Sequence, residues 1–323
     1  MALRILLAAS CFPLALSLTT GDYTRLNAGE AVVELLPADT NEVAVRAATQ
    51  IIADPGRLIR WTRRVNELNK GRYLAAIGRF SDPPRLGDLN ELSLGDEDLT
   101  DLRRCRPGKC GIKLSDAEIA QVRETMAVAG SDWKTATQRT FRAIVLARAE
   151  RYLAEGHTPS VSYHDARQSL PLDGEFAAVA SAVGLAHPRL FPLTNYLSLY
   201  PQGEMADVES FLYWAKESLG AKPIVSITHV AMIESRDERI REAIVAKKQV
   251  YASHYILASL SVMAITASPD GAHHYLVYLN RSRSDVFDGL FGGFIRRIIA
   301  RRLRAEAPEA LKIVRGRLES GDP

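Results

Sequence analysis

The chain lacks the features that would place it quickly. It has no Gly-x-Ser-x-Gly, no His-Glu-x-x-His, no phosphate-binding glycine loop and no dinucleotide fingerprint. Gly289–Gly293 is glycine-rich, but it lacks the lysine and hydroxyl of a P-loop. Catalytic triads are spatial, so these absences exclude only motif-defined enzymes. Neither charge sign is in large excess. The net charge is +3, from 41 Lys and Arg against 38 Asp and Glu, and does not argue for a nucleic acid partner. There is no internal repeat and no low-complexity tract. At 47% hydrophobic and 24% charged, the composition is that of an ordinary globular protein, and 323 residues amount to roughly two domains.

Cysteine is scarce, with three in all. Cys11 lies in an apolar run, Ile5 to Leu16, that follows Arg4 and precedes small residues at Ala15 and Ser17. The run is too short to span a bilayer. A basic start, a short apolar core and a small-residue exit predict a secretory signal peptide over residues 1–17. The mature chain would then begin near Leu18 and be exported, to the periplasm or beyond. Ala8-Ala9-Ser10-Cys11 loosely resembles a lipoprotein cleavage box, which is the competing reading of the same stretch. The other two cysteines flank a turn dipeptide in Cys105-Arg106-Pro107-Gly108-Lys109-Cys110. Such a turn brings the sulfurs together, and in an oxidising compartment the pair reads as a local disulfide. Half a zinc site and a redox pair are the alternatives, but further ligands and the two-residue redox spacing are both missing.

Strands are expected over Gly29–Leu36, Val43–Ile52 and Tyr73–Phe80, with one amphipathic helix over residues 55–68 after Asp54-Pro55. Ser115-Asp116-Ala117-Glu118 is a capping box that opens a helix to Ala129. Further helices are expected over Asp132–Glu155, Gly174–Val183, Pro188–Leu199 and Val208–Leu219. In the last of these Phe211 and Trp214 would share a face. Pro223–Glu234 then reads as a strand and Ile240–Thr266 as a long β run. Asp270-Gly271 is a hairpin signal, and His273–Arg281 pairs back. The chain closes on helical spacing from Gly289 to Ser320, with Pro308 expected to interrupt it.

An early strand and helix, late antiparallel strands and a terminal amphipathic helix are the element order of the START and polyketide-cyclase group of helix-grip proteins, which the chain resembles. The resemblance covers roughly residues 30–80 and 222–320. It implies an α+β fold: a curved antiparallel sheet gripping a long C-terminal helix over an apolar cavity, here with a mostly helical insertion. The parts would be residues 1–17 (leader), 18–114 (N-terminal part with the disulfide loop), 115–220 (insertion) and 221–323 (strands and long helix). The segments Lys247–Tyr255 and Tyr278–Arg283 also look like those of a group of exported bacterial proteins with no assigned activity.

That resemblance implies a non-catalytic binding protein for an apolar or lipid-like ligand at the cell envelope. A hydrolase or cyclase using the same cavity and a non-catalytic envelope scaffold are the alternatives. No cofactor or metal is expected. Ligand-binding candidates are His229, Tyr251, His254, Asn280, Arg281 and Arg283. His254 alternates with Val250, Ala252 and Ile256, which would aim an imidazole at an apolar wall as a polar handle or a general base. A zinc site from His229, His254 and His274 would need their side chains to converge. Arg281 and Arg283 could clamp an anion, or pair with Asp285 and Asp288. Arg296, Arg297, Arg301, Arg302 and Arg304 surround Ile298, Ile299 and Leu303, as in a basic helix that meets an anionic membrane.

Overall fold

The computed structural model describes residues 18–156, 162–163, 170–171, 173–218, 220–235, 241–268 and 270–323. The expected leader and Cys11 lie outside the described residues. Leu18, expected to open the mature chain, is buried in the core. Helix α1 (Thr20–Asn27) leads into β1 (Val32–Leu36) and β2 (Glu42–Ile51). Then come α2 (Gly56–Arg63), α3 (Val65–Leu68) and β3 (Leu74–Arg79). A helical stretch follows: α4 (Asp96–Arg104), α5 (Asp116–Ala129) and α6 (Trp133–Glu155). The two-residue pair β4 (Ser162–Tyr163) and β5 (Leu170–Pro171) precedes α7 (Asp173–Ala186) and α8 (Phe191–Leu199). Five strands come next: β6 (Glu209–Glu217), β7 (Ile224–Glu234), β8 (Ala243–Ala252), β9 (Ile256–Ala267) and β10 (His274–Ser284). The chain ends in α9 (Gly292–Glu319).

The eight long strands form one curved antiparallel sheet in the order β1-β2-β10-β9-β8-β7-β6-β3. The late strands thus join the early ones through β10 against β2, where Tyr278 lies opposite Ala47. The sheet is covered on both faces. Its inner face carries α2, α3 and α9, with a core of Ala47, Ile51, Leu58, Val65, Phe211, Val230, Met232, Val245, Ile265, Leu276, Leu311 and Leu318. Its outer face carries α1 and α7 over β2, β9 and β10, α8 over β7 and β8, and α4 to α6 over β6 and β7. The fold is therefore α+β, with a long C-terminal helix gripped by a curved sheet and a helical insertion between β3 and β6.

Four expectations need correction. Residues 208–219 hold a strand, β6, not a helix, so the helical block stops at Leu199 and does not reach Gly220. Phe211 and Tyr213 enter the inner face while Trp214 enters the outer one. Burial on both faces leaves no polar side to alternate with, and the run Phe211-Leu212-Tyr213-Trp214-Ala215 reads as continuously apolar. The long β run is two strands, β8 and β9, joined by a turn at Ser253–Tyr255 in which Tyr255 takes φ +61°. The helix over 55–68 is two pieces, broken at Arg64 with ψ 59°. Lastly, α9 runs through Pro308 without interruption. Proline removes one helical hydrogen bond, and the exposed side it occupies lets water satisfy the freed carbonyl.

Cys105 and Cys110 are disulfide-bonded, their Cα atoms 4.4 Å apart. Arg106 and Lys109 exchange backbone hydrogen bonds across the turn, and Gly108 supplies its positive φ of +77°. Cys105 lies in the outer core with Leu99, Leu102 and Ile112. The bond closes a loop of six residues, for which chain entropy gives about 2 kcal/mol. Replacing both cysteines by alanine should lower unfolding stability by that amount in denaturant titrations without reductant. Equal stability of the two proteins would contradict the bond.

Candidate functional site

Side chains alternate along each strand, so the register decides which residues meet on the inner face. Lys247 on β8 lies opposite Ser261 on β9, and Ser261 opposite Asn280 on β10. One residue pair along, Ser259 faces Ser282. On β6 and β7, Tyr213 faces Thr228. The middle of the inner face is therefore polar, although apolar residues surround it.

The polar groups are joined. Asn280 Nδ2 donates to Ser259 Oγ at 3.2 Å, the Ser259 and Ser282 hydroxyls lie 2.8 Å apart, and Ser282 Oγ donates to Asn280 Oδ1 at 2.9 Å. Lys247 Nζ donates to Asn69 Oδ1 at 3.3 Å, and Asn69 is the residue that ends α3. The same ammonium lies 5.9 Å from the centre of the Tyr213 ring. Curvature of the sheet brings Glu217, at the end of β6, within electrostatic reach of Lys247, Tyr213 and Tyr278.

Burial is the largest influence on all four groups. It lowers the Lys247 ammonium to about 8, against the pull of Glu217. It raises the Glu217 carboxyl, with Lys247 opposing. It lifts Tyr278 to about 12 and Tyr213 further still. Yet Lys247, Glu217, Tyr278, Asn280, Ser259, Ser261 and Ser282 all keep intermediate exposure. We infer a recess here, because these groups are desolvated by surrounding protein and still touched by solvent. Beside it α9 packs on β1 and β2 and fully buries only Gly292, Leu311 and Leu318; Ala307 packs against the inner core, and both it and Leu303 stay partly exposed. The Glu217 carboxyl makes no hydrogen bond or ion pair among the described residues, although buried polar groups ordinarily have partners.

Of the residues singled out from the sequence, only Asn280 lies in this recess. Arg281 and Arg283 point to the outer face. Arg281 pairs with Glu42 at 2.6 Å and reaches the Pro37 carbonyl. Arg283 pairs with Glu175 at 2.7 Å and Asp39 at 3.6 Å. They hold strands and helices together, with partners other than the expected Asp285 and Asp288. His229 is buried under α6 and α8, its Nδ1 2.8 Å from the Tyr152 hydroxyl and its ring 4.5 Å from that of Tyr200. Burial, and then Lys248, push it down to about 3, so it is a neutral core histidine. Tyr251 donates to the Lys113 carbonyl at 3.3 Å beneath the Arg148 guanidinium, 4.1 Å from its ring. His254 sits in the β8–β9 turn, not on a strand, with Nε2 3.2 Å from Asp98 of α4. His274 belongs elsewhere again, at a surface cleft of about 370 Å³ with Gln50, Asp54, Arg57, Arg241 and His273. The three histidines do not converge. Among the described residues no group of three or more His, Cys, Asp or Glu is placed to hold a metal ion.

Lys247, Glu217, Tyr213, Tyr278, Ser259, Ser261 and Ser282 were missed from the sequence. The available signal was polar residues at period two, Ser259-x-Ser261 and Tyr278-x-Asn280-x-Ser282, within otherwise apolar strands. Lys247-Lys248 carries a second signal. Neighbours on a strand face opposite ways, so one lysine enters the recess and the other enters the outer core. Lys248 is fully buried, donates to the Leu197 carbonyl at 2.7 Å and lies 4.3 Å from the Phe176 ring.

Burial lowers Lys248 to about 7 in the folded chain, well below an unfolded lysine. Between about pH 7 and 9.5 the unfolded chain thus holds a proton that the folded chain has released. Stability should rise with pH across that window, by on the order of 1.4 kcal/mol for each unit of the shift. Below pH 7 both states are protonated and the penalty is constant. Lys248→Met should make this rise shallower in denaturant titrations at several pH values, leaving the part that Lys247 contributes; parallel curves for the two proteins would contradict it. No family model matches the chain, and neither a curated protein nor a solved structure is similar to it.

Proposed function

We propose that the chain is an exported binding protein that holds an apolar or lipid-like molecule in the recess beneath α9, in the manner that the START-like element order of the sequence leads one to expect. The single observation that carries this reading is the partly exposed polar cluster at the centre of an otherwise buried inner face. A filled core would place apolar side chains there at crystal-like density. Apolar walls with a few convergent polar groups are the usual make-up of a small-molecule site. Met263, Leu303 and Ala307 would meet the apolar body of the ligand. Lys247, Asn280 and the serines would meet its polar end. Export is supported by the leader pattern and by the disulfide, and it would place the protein in the periplasm or outside the cell.

An enzyme is the second reading, and the Glu217–Lys247 juxtaposition favours it. A carboxyl pushed up and an ammonium pushed down in one recess form the type of pair used in acid–base chemistry. His254 has no part in that version, since it is turned to Asp98 and away from the recess.

A dansyl-labelled undecanoic acid and its methyl ester test the binding reading. The folded chain should bind both, the acid more tightly. Lys247→Met should weaken the acid about tenfold, the value of one charge-assisted hydrogen bond, and leave the ester within about twofold. Lys247 is charged below about pH 8, so affinity for the acid should fall as pH rises through that value. Ser261→Phe should block both probes by filling the recess. Failure of the wild-type chain to bind either probe, or full binding by Ser261→Phe, would overturn the reading.

A further inference from the structure

The turn before α9 and the first half of the helix carry a face that the fold does not use. Leu290, Phe291, Phe294 and Ile298 are 103%, 74%, 64% and 48% exposed. Phe291, Phe294 and Ile298 recur at helical spacing, on the side opposite Leu303, Ala307, Leu311 and Leu318. Large apolar groups clustered on a surface mark an interaction site more often than a single exposed leucine does.

The charges on the same side identify the partner. The five arginines in this half of the helix divide into two sets. Arg296 donates to the Asp39 and Glu42 carbonyls, at 2.9 and 3.3 Å. Arg302 pairs with Glu306 at 3.0 Å and reaches the Tyr73 hydroxyl. Those two are used within the fold and are withdrawn from the expected membrane-facing set. Arg297, Arg301 and Arg304 are exposed and have no ion-pair or hydrogen-bond partner among the described residues. They follow Phe294 by three, seven and ten positions, so they share its side of the helix. The nearest acid on the helix, Glu306, is engaged by Arg302 and Arg72. Asp288 and Glu309, both exposed, lie before and beyond the patch.

Aromatic and aliphatic side chains flanked by unpaired arginines match a bilayer surface, where phenyl rings enter the acyl boundary and guanidinium groups meet phosphates. We infer that the N-terminal half of α9 is a docking face for anionic phospholipid membrane, seated through Phe291, Phe294 and Ile298 and held by Arg297, Arg301 and Arg304. No helix among the described residues is long and apolar enough to cross a membrane, so this contact is with the surface. The docking face is distinct from the recess, and either can fail without the other.

Co-sedimentation of the full chain with vesicles tests it, using pure phosphatidylcholine or phosphatidylcholine with about 30% phosphatidylglycerol, so that roughly one lipid in three is anionic. Binding should require phosphatidylglycerol and weaken as salt is raised. Arg297→Gln, Arg301→Gln and Arg304→Gln should each lower partitioning roughly fivefold. Phe291→Ser with Phe294→Ser should lower it at least as far as one arginine change. All these side chains are exposed, so the melting temperature should stay unchanged. Val128→Ser, at an exposed apolar residue on α5, is the control and should bind as the wild type does. Equal binding by the α9 variants and the wild type would overturn the inference. So would a concentration-dependent dimer that the Phe291→Ser, Phe294→Ser double variant abolishes, since the face would then belong to a second copy of the chain.

Discussion

The inner face depends on how α9 is held, which is at both of its ends. Leu311 and Leu318 are buried against β2 and α2, and several polar contacts lie at the same end. Arg317 donates to the Leu68 carbonyl at 2.6 Å and also reaches that of Lys70; Arg57 donates to the Leu318 carbonyl at 3.0 Å; Trp61 Nε1 donates to the Gly321 carbonyl at 2.9 Å. At the other end a Cβ at Gly292 would overlap the Phe287 carbonyl, so glycine lets the helix start hard against the turn that follows β10. Between these two fixed points α9 bridges the sheet. The helix packs chiefly on β1 and β2, while β6 and β8 to β10 carry glutamate, lysine, serine and asparagine on the same face.

The outer face shows the contrast. Its polar groups are also buried, but they are consumed. Arg148 binds Glu118, the Tyr163 hydroxyl and the Lys113 carbonyl, and lies over the Tyr251 ring. Lys113 pairs with Asp285. Arg46 pairs with Asp22 at 3.1 Å and with Glu34 at 2.5 Å. Such networks specify how the helical insertion docks, and their members have partners on several elements. The inner-face cluster differs in that the Glu217 carboxyl has none among the described residues and Lys247 has one long hydrogen bond. That asymmetry, not burial alone, separates a site from a support.

Much of the architecture was legible in local signals. The Ser115 capping box, the Pro107-Gly108 turn and the Asp270-Gly271 hairpin are decided within a few residues and read correctly, whereas of the terminal helix's apolar spacing only the later part, Leu311 and Leu318, is buried and Leu290, Phe294 and Ile298 are exposed. Features set by distant packing did not read. β6 reads as a helix in the sequence because coverage on both faces removes the polar alternation of a half-buried strand. The Ser253–Tyr255 turn carries no glycine, proline or asparagine; it is held by the Ser253 amide donating to Val225 and by the Ser284 hydroxyl donating to Tyr255. The candidate histidines stood out by residue type, yet register and curvature placed the recess elsewhere. Two adjacent lysines on a strand, one for each face, were the clue that residue type alone concealed.

The most direct test of the recess is thiol access. In Ser261→Cys the new thiol should react with a small methanethiosulfonate reagent within seconds to minutes, and dansyl-undecanoic acid should slow the reaction. Ala246→Cys, from the fully buried outer side of β8, should stay unreactive while the chain is folded. If Ser261→Cys is as inert as Ala246→Cys in a folded protein, the inner face is filled and no site lies beneath α9.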